Sequence, residues 1–280
     1  MTGYPKVTVA VPLYHSAQFL PIVTETLRGF AYPNLEFLIS DRHCKDDAIE
    51  RIQKLFAADS RFRFLVAGDE LDWVAHYNLL LREASGDYFV WVSHDDSYST
   101  DFVEKLVEVL EKQADAVVAY ARAERIDMTG QPIHHIAAKI PRASLTPGPL
   151  TAYRIALSGG LQFHGLFRRK WLLDRKLWIR PTIQNIASDM LWIFTLAMLG
   201  KAVYVNDCVL RKRYYSTSTH KGWRASMRGH HIWNFARVGR SYAEDYVSSR
   251  AQRLFAISVI YAACILWRLK VLLWKTRGVL

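Results

Sequence analysis

The sequence predicts an α/β protein built on a mainly parallel, doubly wound sheet with a helical C-terminal tail. Three observations carry that expectation. Val7 to Leu13 is an almost unbroken apolar run, as expected of a strand covered on both faces. Runs of this kind alternate with helix-period segments through the first 110 residues, the rhythm of a parallel sheet with crossover helices. The run Tyr88 to Val92 then stops at two adjacent carboxylates, Asp95 and Asp96, at the strand end where such sheets hold their ligands.

Each element has a local reason. After Val7 to Leu13 the chain turns at Pro12-Leu13-Tyr14-His15, and Phe19, Leu20, Val23, Leu27 and Phe30 share one helical face. Pro21 suits the first turn of that helix. Tyr32-Pro33-Asn34 is a turn, Leu35 to Ser40 a second strand closing on Asp41, and Ala48, Ile49, Ile52, Leu55 and Phe56 a second helix. Phe62 to Val66 follows as a strand, and a helix over 73–84 ends at Ser85-Gly86. Beyond the acid pair, Phe102, Val103, Leu106, Val109 and Leu110 recur at helical spacing. In the second half, Gln162 to Arg169 reads as a short strand. Ser188 to Leu199 is a helix ending at Gly200, and Val203 to Val205 is a strand that leads on to Leu210 to Tyr215.

Composition narrows the function classes. A chain of 280 residues that is 51% hydrophobic can bury a sizeable core. Cys44, Cys208 and Cys264 form no CxxC pair and no disulfide framework, which fits a reducing compartment. Met1-Thr2-Gly3-Tyr4-Pro5-Lys6 leads straight into a strand, so a cytoplasmic location is expected. No GxGxxG follows the first strand and no GxxxxGK[ST] occurs, which argues against a dinucleotide dehydrogenase and a P-loop phosphotransferase. The basic excess is confined to one end. Residues 201–280 carry 15 Lys and Arg against 3 Asp and Glu, whereas residues 1–200 carry 22 against 23. Without zinc spacing or an RNA-binding signature, that charge points away from nucleic acid and toward phosphorylated substrates or anionic lipid.

Two readings of the acid pair compete on local pattern. Converging carboxylates suit a divalent cation and a diphosphate. Alternatively the segment is a helix entry, with Ser99 or Thr100 as cap and Asp101 at the positive end. That second reading covers Ser99 to Asp101 but leaves Asp95 and Asp96 unexplained.

Five pieces in order then carry a resemblance. These are Val9-Ala10-Val11-Pro12-Leu13-Tyr14, Tyr32-Pro33-Asn34-Leu35-Glu36, Ile39-Ser40-Asp41, Glu83-Ala84-Ser85-Gly86-Asp87-Tyr88 and His94-Asp95-Asp96. From about Lys6 to Tyr215 the chain is similar to family 2 glycosyltransferases of the GT-A fold. It departs from them in two places. Asp41-Arg42-His43-Cys44 stands where Asp-Asp-Gly-Ser is usual, and Ser93 or His94 stands for the first acid of the usual Asp-x-Asp.

The resemblance implies roles. Pro12, Tyr14 and Asp41 hold the nucleotide base, Tyr14 by stacking and Asp41 by accepting a base N–H. Asp95 lies near the ribose or the metal, and Asp96 ligates Mg2+ or Mn2+. His220 is a further candidate ligand, and Lys221, Arg224 and His164 are candidates for the diphosphate and acceptor side. A solvated basic loop is the plain alternative for 220–224; His94 is a candidate extra ligand, with a packed or solvent-facing ring as its plain alternative. Asp189 is implied as the base, with a first-turn helix acid as the plain alternative. The activity implied is inverting, metal-dependent transfer from a nucleotide sugar, UDP-linked, to a glycan or lipid-linked glycan, as in polysaccharide biosynthesis. A nucleotidyltransferase on a similar sheet and a non-catalytic nucleotide-sugar-binding or assembly protein are the rivals.

The expected domain spans 1–223, with a donor half over 1–110 and an acceptor half over 111–223. A basic, aromatic tail covers 224–280. In it Ile232, Phe235, Ala236, Gly239 and Tyr242 share a face, and Leu254 to Leu266 is apolar until Arg268 and Lys270 interrupt. A helix there would lie in a membrane interface, with Trp267 and Trp274 at headgroup level at the inner face of the membrane. A soluble core helix or an oligomer contact is the alternative.

Overall fold

The computed structural model describes residues 3–42, 46–68, 71–133, 144–157, 161–215 and 229–276. Among the described residues the strands are β1 (Val7–Leu13), β2 (Leu35–Asp41), β3 (Phe62–Val66), β4 (Tyr88–Trp91), β5 (Ser97–Tyr98), β6 (Ala116–Ile126), β7 (Leu166–Arg168) and β8 (Lys201–Arg213). They join one sheet in the order β3-β2-β1-β4-β7-β6-β8-β5. Strand β1 runs parallel to β2 and β4, β2 parallel to β3, and β6 parallel to β8. Strands β7 and β5 run antiparallel to their neighbours, so the sheet is mixed at its second half.

Helices α1 (Leu20–Gly29), α2 (Ala48–Leu55) and α4 (Phe102–Lys112) cover one face of the sheet. Helices α3 (Trp73–Glu83), α6 (Arg169–Asp174) and α7 (Ser188–Leu199) cover the other. The two-residue period of a strand sorts the side chains between them. Val7, Val9, Val11, Tyr88, Val90 and Val92 enter the first core, whereas Ala10, Phe89 and Trp91 enter the second. A strand that must satisfy two cores cannot alternate apolar with polar, which is why β1 and β4 read as unbroken apolar runs.

The segment expected as a strand over Gln162 to Arg169 is divided. Leu161–His164 is a turn of 3-10 helix, and only Leu166–Arg168 pairs in the sheet. Gly165 marks the break: a Cβ there would lie 2.6 Å from the Ala119 carbonyl oxygen, so only glycine lets the chain pass so close to β6.

Helix α5 (Pro149–Leu157) packs against α7, and the tail forms α8 (Gly229–Tyr246) and α9 (Arg250–Thr276). Ile232, Ala236, Tyr242 and Ala243 of α8, with Ala256, Ile260 and Cys264 of α9, share the core that holds α7. This explains why α7 shows no polar face: Leu191 to Met198 are all buried, with the sheet on one side and α8 on another. Gly239 permits the approach, since a Cβ there would sit 3.0 Å from Leu191 and 3.1 Å from Ile260.

Candidate active site

Parallel pairing brings three strand ends to one edge. In register, Leu13 lies beside Asp41 and Ala10 beside Trp91, so the loops after β1, β2 and β4 leave the sheet together. Tyr14 is exposed at this edge, and the Arg42 guanidinium lies 4.2 Å above its ring. Asp41 is buried and closes β2. Next to it the Ser40 hydroxyl lies 2.8 Å from His76 Nε2. Burial, reinforced by the charge of Arg42, pushes the His76 imidazole down to about 4. The Pro12 carbonyl lies 3.3 Å from His94 Nδ1, and the His94 ring packs on Phe19.

The helix-entry reading also resolves. Asp101 precedes α4 but makes no side-chain cap bond, and Ser99 is tied to the backbone of Val209 in β8. Asp95 and Asp96 stand before this entry and belong to other contacts.

Asp96 is fully buried, and both of its oxygens are engaged. Oδ1 accepts the Arg213 backbone N–H at 2.8 Å, and Oδ2 accepts the Lys212 ammonium at 3.2 Å. Lys212 Nζ also donates to His164 Nε2 at 3.1 Å. Burial works against that ammonium, but Asp96 and Asp95 outweigh it and hold Lys212 protonated well above its ordinary value. Asp95 is half-buried, and its Oδ2 accepts the Tyr215 hydroxyl at 3.0 Å. The Arg213 guanidinium braces the turn from behind through the carbonyls of Asp95, Asp127 and Met128.

Asp189 reaches the same place from the other half. It lies in the first turn of α7, after a loop in which Gln184, Asn185 and Ala187 all adopt left-handed backbone angles near 55–57°. Three such residues store strain and need external support. Thr182 supplies part of it, donating its hydroxyl to the Ile186 carbonyl at 2.8 Å and its N–H to Ser188 Oγ at 3.1 Å. Helix α8 supplies the rest. Asn234 Oδ1 accepts the Ile183 N–H at 2.7 Å, and His231 Nε2 lies 3.2 Å from Gln184 Oε1. Asp189 Oδ1 is buried with no hydrogen-bond partner, and burial pushes the carboxyl up while nearby backbone N–H groups and Lys212 oppose it. The Tyr77 hydroxyl marks the meeting point. Burial raises it first, and the charges of Lys212, Asp95, Asp189 and Asp96 all act on it.

The structure thus gathers Asp95, Asp96, His164 and Asp189 around Lys212, with Pro12, Tyr14 and Asp41 along the same edge. His220, Lys221 and Arg224 lie outside the described residues. Lys212, Arg213 and Tyr215 join this candidate site without a role legible in advance. The only available signal was the pleat, which sends Lys212 to the side opposite Arg211 and Arg213.

Comparison with known proteins decides the family. The family model described as glycosyl transferase family 2 matches residues 8–177, more than half of the chain. The chain belongs to glycosyl transferase family 2. Its fold is that of the GT-A glycosyltransferases. An uncharacterized glycosyltransferase of Rickettsia bellii is 27% identical over 165 residues, covering 59% of this chain and 23% of that protein. The glycosyltransferase GlyG of Streptococcus pneumoniae is 27% identical over 113 residues, covering 40% of this chain and 38% of that protein. The matches therefore span less than half the length of these relatives. Among solved structures, S. aureus TarS in complex with UDP-GlcNAc superimposes with a TM-score of 0.68 at 14% identity, over 91% of this chain and 70% of that one. The mannosyltransferase PcManGT from Pyrobaculum calidifontis, in complex with GDP-Man and Mn2+, gives 0.57 at 17% identity, over 94% and 74%.

The oxygens of Asp95 and Asp96 are largely committed to protein donors, which bears on the Mg2+ or Mn2+ expected there. Both Asp96 oxygens are taken by Lys212 and Arg213, and one Asp95 oxygen by Tyr215. As placed, the two acids do not form a chelate. Among the described residues no group of three or more His, Cys, Asp or Glu side chains gathers at ligand spacing. The side chains instead place a protein cation where the sequence led us to expect a metal.

Proposed function

We propose that this family 2 glycosyltransferase moves a sugar from a nucleoside-diphosphate donor, UDP-linked, to a hydroxyl of a glycan or lipid-linked glycan, with inversion. The observation that carries the proposal is Asp189: a buried carboxylate with one oxygen unpartnered, within electrostatic reach of Lys212 and the acid pair's neighbour Tyr77. Tyr14, Asp41 and the Pro12 loop are assigned to the base of the nucleotide, and Asp95 to the ribose and diphosphate side. TarS and PcManGT, which share the fold, were solved with UDP-GlcNAc and GDP-Man.

In the transfer step Asp189 takes the proton of the acceptor hydroxyl. The acceptor oxygen bonds to the anomeric carbon as the bond from that carbon to the diphosphate oxygen breaks. The electron pair leaves with the nucleoside diphosphate. Burial keeps Asp189 basic enough to accept a proton, since a desolvated carboxylate holds protons more tightly.

Helix α9 supports an acceptor at a membrane surface. Arg250–Leu269 has a mean hydropathy of 1.4 and is long and apolar enough to cross a membrane, yet little of it is buried. Leu254, Phe255, Ile265, Leu266 and Leu269 are exposed beside Arg250, Arg253 and Arg268. Deleting the helix would remove Ala256, Ile260 and Cys264 from the core, so the test uses surface changes. Leu254→Ser with Leu266→Ser should abolish co-pelleting of the full chain with anionic liposomes. Equal pelleting of this variant would remove the membrane assignment.

The transfer reading is tested by incubating the protein with UDP- and GDP-sugars and a glycan panel. Release of nucleoside diphosphate supports it, whereas release of pyrophosphate rejects it in favour of a nucleotidyltransferase. Asp189→Asn should bind UDP as the native protein does and lose turnover by about 10²–10⁴-fold.

A further inference from the structure

We propose that Lys212 is the built-in cation of the donor site, so that nucleoside-diphosphate binding does not depend on a divalent ion at Asp96. This rests on the donor-site reading above and goes beyond it by assigning the charge that meets the diphosphate. The strand places Lys212 for that role. It is the penultimate residue of β8, and its side chain is 13% exposed. Its ammonium is fixed from two sides, by Asp96 Oδ2 at 3.2 Å and His164 Nε2 at 3.1 Å.

Three features favour a substrate-facing cation over a merely structural ion pair. The first is the company it keeps. Lys212 acts electrostatically on Asp189, Tyr77 and Tyr215, so its charge is felt by the base and by the residues around the acid pair. The second is donor capacity. An ammonium has three N–H groups, and the two named contacts leave one. The third is the division of labour along β8. Arg211 pairs with Glu124, and Arg213 spends its guanidinium on backbone carbonyls that shape the Asp95 turn. Of the three, Lys212 is the one whose side chain meets a carboxylate of the acid pair, while Arg213 reaches the pair only at the Asp95 backbone carbonyl. A fixed positive charge in a site of low dielectric stabilises charge developing on a leaving group, as a metal would, without being recruited from solution. Lysine is a compact point charge and suits a phosphate oxygen in that way.

Isothermal titration of UDP, and in parallel GDP, into the full chain tests this with and without EDTA and with added Mn2+. The native protein should bind one of them equally, within about twofold, in EDTA and in Mn2+. Lys212→Met should weaken binding in EDTA by about tenfold or more, and Mn2+ should recover it by entering the vacated place beside Asp96. Lys212→Arg keeps the charge and should stay insensitive to EDTA. Native binding that is lost in EDTA would overturn the assignment, as would a Lys212→Met protein that is folded by circular dichroism and binds like the native one. If the Lys212 variants do not fold, the native EDTA comparison still decides. Failure of the native chain to bind either nucleotide under any condition would reject the donor site itself, a different outcome from metal-dependent binding.

Discussion

The two halves of the candidate active site are held in place by different physics. Pro12, Tyr14, Asp41 and Asp95 sit where they do because β1, β2 and β4 run parallel, and backbone register brings their ends together. Asp189 sits where it does because side chains of α8 and Thr182 hold a loop with three left-handed residues. One side is positioned by a ladder of repeated bonds and resists single changes. The other depends on a few contacts, each of which can be removed singly.

The largest effect should come from the base side. Asp189→Asn removes proton acceptance and should lower turnover by about 10²–10⁴-fold, the range assigned to general base catalysis. Because burial raises this carboxyl, turnover of the native chain should fall as pH drops through a value above the ordinary carboxylate range. A pH profile with its acid limb at or below the ordinary value would contradict the assignment of Asp189. Next in size is the seam between the halves. Asp96→Ala leaves the Lys212 ammonium buried without its carboxylate, and losing one partner of a buried pair costs about 3–5 kcal/mol. Urea denaturation of that variant should show the loss. A change below about 1 kcal/mol, the range of exposed ion pairs, would mean that Asp96 and Lys212 are solvated.

This division also explains what could be read in advance. Asp41 and Asp95 were legible because a strand that satisfies two cores is apolar throughout, and the first acids after it mark its end. The mainly parallel sheet was legible for the same reason. Lys212 was not, because Arg211-Lys212-Arg213 is uniform in charge and the partner acid lies 116 residues earlier. The base loop was equally silent: Gln184, Asn185 and Ala187 carry no glycine to announce their backbone angles. The strand expected across Gln162 to His164 failed for a related reason. Leu161 and Phe163 are apolar because they pack, and Phe163 stacks on Trp91 at 4.7 Å; they are not part of a pleat.

A smaller, pH-dependent effect belongs to the donor side. His76 is pushed down from about 6.5 to about 4 by burial and then Arg42, so between those values the unfolded chain is protonated and the native chain is not. The stability involved is complete above pH 6.5 and is lost as pH falls toward 4, by at most about 3 kcal/mol. His76→Gln keeps a polar group beside Ser40 but cannot titrate. It should flatten the stability profile in that window, measured by thermal melts. An unchanged profile would place the titration elsewhere.

The smallest change tests the comparison most sharply, because it touches neither the acids nor the sheet. Asn234 lies on α8, and its one bond to the Ile183 N–H is far from the strand ends in sequence. A neutral hydrogen bond contributes about 1 kcal/mol, so its loss should barely alter global stability. A displaced general base is more costly than that, since small errors of placement reduce turnover steeply. Asn234→Leu should therefore lower kcat by about tenfold while leaving the KM for donor unchanged, which is about 1.4 kcal/mol in the barrier alone. Asn234→Asp keeps the accepting oxygen and should restore kcat. If instead Leu and Asp lower kcat alike, or the loss appears in KM, the loop is held by its own bonds through Thr182 and α8 is only a packing partner.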